Sequence, residues 1–129
     1  KTDALRANLL AINPDLTIRT VTDRVTADSL PALAAEADVI LEAVDSAETK
    51  QMLFHQVLAA GKPLVTASGV AGLGDCEKIQ IRRRGRYTLV GDLETAVETS
   101  RPLAPKVSAV AAIMADEILR FALATGPMP

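Results

Sequence analysis

The 129-residue sequence predicts a single α/β domain with a mostly parallel sheet, helices on both faces, and a carboxyl-terminal hairpin followed by a long helix. Three observations carry that expectation. Apolar residues make up 49% of the chain but aromatics only 2%, so the core must be built from Ala, Leu, Val and Ile, as in sheets under Ala-rich helices. Two apolar runs, 39–44 and 64–67, flank a stretch of helical periodicity, which is the strand–helix–strand order of a βαβ unit. Near the end, Val107, Val110, Ala111, Met114, Ile118 and Phe121 form one stripe of a long amphipathic helix.

In chain order, Leu5, Leu9 and Ile12 lie at helical spacing over residues 2–12, and Asn13-Pro14 ends the helix because the residue before proline avoids αR. Residues 16–21 alternate apolar and polar side chains, the pattern of a strand near a sheet edge. A short helix over 27–37 has Asp28 or Ser29 as cap and Leu30, Leu33, Ala34 and Ala37 on one stripe. The run at 39–44 reads as a central parallel strand ending in Asp45. Ser46 caps the next helix, which carries Leu53/Val57 and Phe54/Leu58 and stops at Gly61 before Pro63. After the strand at 64–67, a glycine-rich loop (68–75) leads to two short strands, 78–82 and 87–91, around a turn at Arg83-Arg84-Gly85. Pro105 fits the first turn of the last helix, with Gly126-Pro127 as its stop.

Net charge is −2, and the one dense basic run, Arg82, Arg83, Arg84 and Arg86, is too short for a nucleic-acid groove, so no nucleic-acid partner is expected. A single cysteine, Cys76, excludes an intrachain disulfide and any multi-cysteine zinc site. No apolar run approaches the roughly 20 residues that span a bilayer, so no membrane partner is expected and the cytoplasm is the default compartment. The chain starts at Lys1 without an initiator Met, and no glycine-rich phosphate loop precedes its first strand. It therefore reads as the carboxyl-terminal portion of its fold.

Asp45 stands where open α/β sheets bind ligands, at the carboxyl end of a parallel strand before a helix. It suits either a carboxylate holding Mg²⁺ over phosphates or a helix cap. Ser46 fits a cap, though its N–H also suits a phosphate. Lys1 by pattern is a terminal lysine. Lys50 suits pairing with Glu48 or Asp45, or the solvated state that is the commoner fate of such charges. The segment Gly69-Val70-Ala71-Gly72-Leu73-Gly74 has the wrong spacing for a dinucleotide loop and leads to a hairpin, so it is expected as a tight loop. His55 has no second ligand nearby, and Cys76, between Asp75 and Glu77, lacks an electropositive setting, so both are expected to be inert.

Several segments together resemble the ThiF, MoeB and HesA family of ubiquitin-activating-like adenylyltransferases. Lys1 with Ala4-Leu5, Asn8-Leu9 and Ile12-Asn13-Pro14 is similar to the family's helix and exit turn. Glu42-Ala43-Val44-Asp45-Ser46-Ala47-Glu48-Thr49-Lys50 looks like its strand and catalytic aspartate. Ala67-Ser68-Gly69-Val70-Ala71-Gly72 with Gly74-Asp75 resembles a ThiF subgroup, and Leu103-Ala104-Pro105-Lys106-Val107 the start of its late helix. The resemblance implies a Rossmann-like fold and ATP-dependent adenylation of the C-terminal glycine of a ubiquitin-like sulfur carrier, the ThiS-like protein of thiamine thiazole synthesis. It implies catalytic roles for Asp45 and Lys1, nucleotide contacts from Lys1, Asp45 and Ser46, and Mg²⁺ on Asp45. A homodimer is expected.

The sequence departs from the family in three ways. The upstream glycine loop, the acidic residue for the ribose and the arginine near the phosphates are absent, so the segment by itself is not expected to hold ATP or to be active. Ser46 stands where Asn commonly follows the aspartate. The paired C-x-x-C motifs of some relatives are also missing, so no zinc is expected. Two other readings stand beside this one. The stretch 38–65 also resembles the later Rossmann strands of NAD(P)-dependent oxidoreductases, and the missing loop leaves room for a catalytically inactive carrier-binding scaffold.

Overall fold

The computed structural model describes residues 1–96 and 99–124. In chain order it forms α1 (Thr2–Ile12), α2 (Leu30–Ala35), β1 (Ile40–Glu42), α3 (Ala47–Ala59), β2 (Leu64–Ala67), a 3₁₀ turn (Cys76–Lys78), β3 (Gln80–Arg84), β4 (Tyr87–Gly91) and α4 (Ala104–Leu123). The sheet order is β1-β2-β4-β3, with β1, β2 and β4 parallel and β3 antiparallel to β4. No helix among the described residues is long and apolar enough to cross a membrane.

Side chains alternate across a strand, and this alternation splits the core into two layers. In register, Leu64 of β2 lies beside Tyr87 of β4 on the face covered by α2 and α3, where Leu30, Ala34, Leu53 and Val57 pack. Val65 and Val90 turn to the opposite face under α4, against Val110 and Met114. Tyr87 also satisfies its hydroxyl on Thr66 Oγ1 at 3.1 Å and meets the Phe54 ring edge-on at 4.9 Å. Helix α3 starts as expected, since the Ser46 hydroxyl accepts from the Thr49 N–H. It ends in a Schellman motif: Lys62 N donates to Val57 O, Gly61 N donates to Leu58 O, and Gly61 adopts φ +69°.

Several expectations are corrected. Residues 16–21 form no strand: alternation marks a surface that suits a sheet, but a strand also needs a neighbour to pair with. The strand at 39–44 shortens to Ile40–Glu42 and lies at the sheet edge rather than its centre, with Leu41 exposed. It stops because the Glu42 carboxylate turns back and takes the Val44 N–H at 2.6 Å, removing that donor from any ladder. Helix α2 is confined to six residues. Leu5, Leu9 and Ile12, the apolar residues at helical spacing on α1, are exposed.

In the hairpin, Arg83 and Arg84 belong to β3, and the turn is Gly85-Arg86, with Gly85 at φ +59° as the first position of a type II′ turn requires. Arg83 is drawn into the strand by Glu117 of α4, a fully buried carboxylate that also accepts from Arg120 Nε at 2.9 Å. The α4 stripe accordingly includes two charged residues, Lys106 and Glu117, while Val107 and Ala111 are exposed. The expected stop at Gly126-Pro127 lies outside the described residues.

Hydrogen bonds from Arg83 hold the Glu117 carboxyl below the usual glutamate range, against the opposing effect of burial and with further help from Arg120. A carboxyl whose pKa is depressed by folding contributes stability above its unfolded value of about 4.3 and loses it as pH falls through the folded value. Glu117→Gln should therefore lower unfolding free energy at neutral pH by about 1–3 kcal/mol and shrink the loss of stability below about pH 4, as read by urea melts across pH. A Cβ at Gly91 (φ +143°) would lie 1.7 Å from Ser68 O, whereas at Gly85 it would meet nothing within 4 Å. Gly91→Ala should cost upward of about 3 kcal/mol and Gly85→Ala about 1–2 kcal/mol in the same melts.

Candidate functional site

Because β1, β2 and β4 run parallel, the loops that leave their carboxyl ends gather at one edge. Residues 43–45 follow β1, 68–70 follow β2 and 93–96 follow β4, and with the side of α4 they surround a cavity of about 490 Å³. Val107, Val110, Ala111 and Met114 make its apolar wall. Its charged lining comes from Asp45, Lys50 and Glu94.

Two ion pairs build this edge. Glu42, buried on β1, accepts from Lys50 Nζ through both carboxylate oxygens at 2.9 Å, and the same ammonium donates to Ala67 O at 3.0 Å. One lysine thus ties the ends of β1 and β2 together with all three of its protons engaged. Lys50 is therefore half-buried and paired to Glu42 rather than to Asp45 or Glu48. Glu42 fills the strand position where its carboxylate, one turn of α3 away, has a cation to neutralise it.

The second pair is deeper. Lys106, in the first turns of α4, and Asp92, just past β4, have side chains only 2% and 1% exposed and meet at 2.5 Å. Lys106 Nζ also donates to Ala71 O at 2.7 Å and to Thr95 Oγ1 at 3.2 Å. Asp92 Oδ1 accepts the Glu94 and Thr95 N–H groups at 2.8 and 2.9 Å. Burial pushes the Asp92 carboxyl up, but the Lys106 ammonium and the hydrogen bonds from Thr95 and Glu94 outweigh it and hold the group well below the usual carboxylate range.

Of the residues the sequence singled out, Asp45 lines the cavity, is exposed, and has no hydrogen-bond or ion-pair partner among the described residues. It is not the cap of α3, since Ser46 fills that role. Lys1 is exposed at the start of α1 and does not line the cavity. The glycine loop is tight as expected, with Gly69, Gly72 and Gly74 all at positive φ. His55 is exposed on α3 with an edge-on contact to Phe54, and Cys76 is exposed and free. Sequence reasoning missed Glu42, Asp92 and Lys106. The signal was a charge inside an apolar pattern, Glu42 within a strand and Lys106 in register with Val110 and Met114.

No group of three or more potential ligands for a metal ion gathers among the described residues. A Mg²⁺ site of the kind expected needs less, because this ion keeps several waters and is commonly held by one or two carboxylates plus substrate phosphates. Asp45 fits that requirement. With Lys50 neutralised by Glu42, the charges left in the cavity lining are the carboxylates of Asp45 and Glu94, which favour a cation there.

Comparison with known proteins agrees with the resemblance in the sequence. The chain matches the ThiF family over residues 1–129. It is 33% identical over 70 residues to the sulfur carrier protein ThiS adenylyltransferase of Escherichia coli (strain K12), a stretch covering 54% of this chain and 28% of that protein. The fold is shared with E. coli tRNA N6-threonylcarbamoyladenosine dehydratase, TcdA, solved in complex with ATP, at a TM-score of 0.75 and 17% identity. A second structure, TcdA (CsdL), gives 0.74 and 18%, and each likeness covers 97% of this chain and 66% of the other. The chain thus spans under a third of the curated relative and about two thirds of these structures. A family match over every residue, on a mixed α/β sheet with the long final helix in place, sets aside the oxidoreductase alternative: the chain belongs to the ThiF family.

Proposed function

We propose that the protein carrying this chain is an adenylyltransferase that activates the C-terminal glycine of a ubiquitin-like sulfur carrier with ATP, the carrier being ThiS-like and the pathway thiamine thiazole synthesis. The observation that carries this reading is the exposed, unpartnered carboxylate of Asp45, in the loop between β1 and α3 beside the cavity, where the buried charges of the edge are neutralised in pairs. The thiamine assignment is supported by the likeness to the E. coli ThiS adenylyltransferase.

In the proposed reaction a carrier carboxylate oxygen attacks the α-phosphorus of ATP, the bond to the bridging oxygen breaks, and pyrophosphate leaves with that electron pair. The nucleophile is already an anion, so no residue has to remove a proton. Asp45 would hold Mg²⁺, which when bound offsets the charge of the phosphates. Lys1 would contribute an ammonium to the same charge, and the Ser46 N–H, at the amino terminus of α3, would face a phosphate. The apolar wall from α4 lowers the local dielectric and so strengthens each of these contacts. The enzyme would act as a homodimer in the cytoplasm.

Carrier-dependent exchange between ATP and pyrophosphate, measured on the intact protein, tests the reading. Asp45→Ala should reduce exchange at least about 100-fold with the melting temperature unchanged, the usual effect of losing one preorganised electrostatic contact. Wild-type exchange in that variant would remove Asp45 from the mechanism. Lys1→Ala should abolish most activity while leaving the protein folded, because the Lys1 side chain is exposed and α1 buries no residue. A loss of folding without a specific loss of ATP use would make Lys1 structural.

A further inference from the structure

A large part of the cavity wall comes from two loops, 68–70 and 93–96, which are neither helix nor strand. Both loops converge on the buried Lys106. Asp92 N donates to Gly69 O at 3.1 Å and Leu93 N to Ser68 O at 3.3 Å. Lys106 Nζ reaches Ala71 O, and Thr95 Oγ1 lies 3.0 Å from the same carbonyl and 2.7 Å from Asp92 Oδ2. The contact is too close for side chains in between: a Cβ at Gly69 would lie 1.9 Å from Asp92 Oδ1. Leu93, which faces the cavity, is held at φ +68°, a conformation residues other than glycine rarely adopt. Such strain persists only where the surroundings over-determine it.

A fully buried ion pair is not a route to stability as such, since apolar replacements of similar volume commonly serve as well. What this pair supplies is direction: an ammonium with donors aimed at one carboxylate, one carbonyl and one hydroxyl fixes three chain segments at once. We propose that Lys106, Asp92 and Thr95 are positioning residues, which lock the loops after β2 and β4 against the start of α4 and so hold the cavity wall in the geometry that turnover requires. The inference rests on the adenylation reading for its kinetic consequence. A wall misplaced by about 1 Å leaves substrates bound but poorly aligned, so the effect falls on kcat.

The test uses the intact protein with Lys106→Met, Thr95→Val and, as a control, Glu117→Gln, which disturbs a buried charge elsewhere on α4. Carrier-dependent ATP–pyrophosphate exchange is measured well below the lowest melting midpoint, together with amide hydrogen exchange of residues 68–75. Lys106→Met should lower kcat about 10- to 100-fold with KM for ATP within about threefold of wild type, and Thr95→Val should do the same to a smaller extent. The amides of 68–75 should exchange faster in both, while Glu117→Gln keeps its kcat and shows faster exchange only in step with its global stability. Unchanged kcat and loop protection in Lys106→Met and Thr95→Val would overturn the proposal, as would an equal loss of kcat in Glu117→Gln. If Lys106→Met does not fold, Thr95→Val decides by the same two readouts. Absence of exchange in the wild type would sink the adenylation reading alone, and the protection of 68–75 would still decide whether the three residues hold the loops.

Discussion

An ammonium taken out of water must be met by a carboxylate and have its remaining protons satisfied, and at Lys106 this requirement organises the carboxyl edge of the sheet. Asp92 is the counter-charge, and its other oxygen is spent on the Glu94 and Thr95 amides, which curls the chain after β4. The Ala71 carbonyl and the Thr95 hydroxyl complete the set, which draws the glycine-rich loop down onto β4. The glycines at 69 and 91 follow from that approach, because a Cβ at either position would collide with the opposing loop. The pair thus joins α4, β4 and the loop after β2 by directed polar contacts, beside the apolar cluster of Val90, Val110, Met114 and Val70 that packs the same segments.

The same rule recurs on a smaller scale along the molecule. Glu42 is placed inside the first layer, Lys50 comes from α3 to neutralise it, and the two strand ends are fixed relative to each other. Glu117 is placed inside the second layer and draws Arg83 and Arg120 over itself, which seats the far end of α4 on the hairpin. In each case a charge sits inside the apolar pattern of its element and is matched by a partner from another element, Glu117 also by Arg120 on its own helix. Asp45 breaks the rule. It lies at the cavity beyond β1 and has no partner among the described residues, which is why it suits a ligand outside the chain.

Charge at the cavity bears on what it can admit. Its lining is apolar along α4 and carries two carboxylates whose charge is not neutralised by a neighbouring residue at the cavity, so an anion gains little there unaided. On the proposed reading a divalent cation would accompany the phosphates, and the helix terminus behind Ser46 would add a partial positive charge from its free N–H groups.

Local pattern determined the starts and stops of α1 and α3, the second strand, and the placing of Asp45 between a parallel strand and α3, because caps, glycine stops and apolar periodicity act within a few residues. It failed at residues 16–21, at the edge position of β1 and at the hairpin register, where the outcome depends on which chain segment lies alongside. Arg83 and Arg84 looked like turn residues and Lys50 like a solvated charge because their partners, Glu117 on α4 and Glu42 on β1, are distant or face the same layer only after folding. The stripe of α4 could be read from spacing, but not that Lys106 and Glu117 belong to it. Whether a charge is buried is decided by the counter-charge that tertiary structure brings to it, and a sequence shows the charge without showing the neighbour.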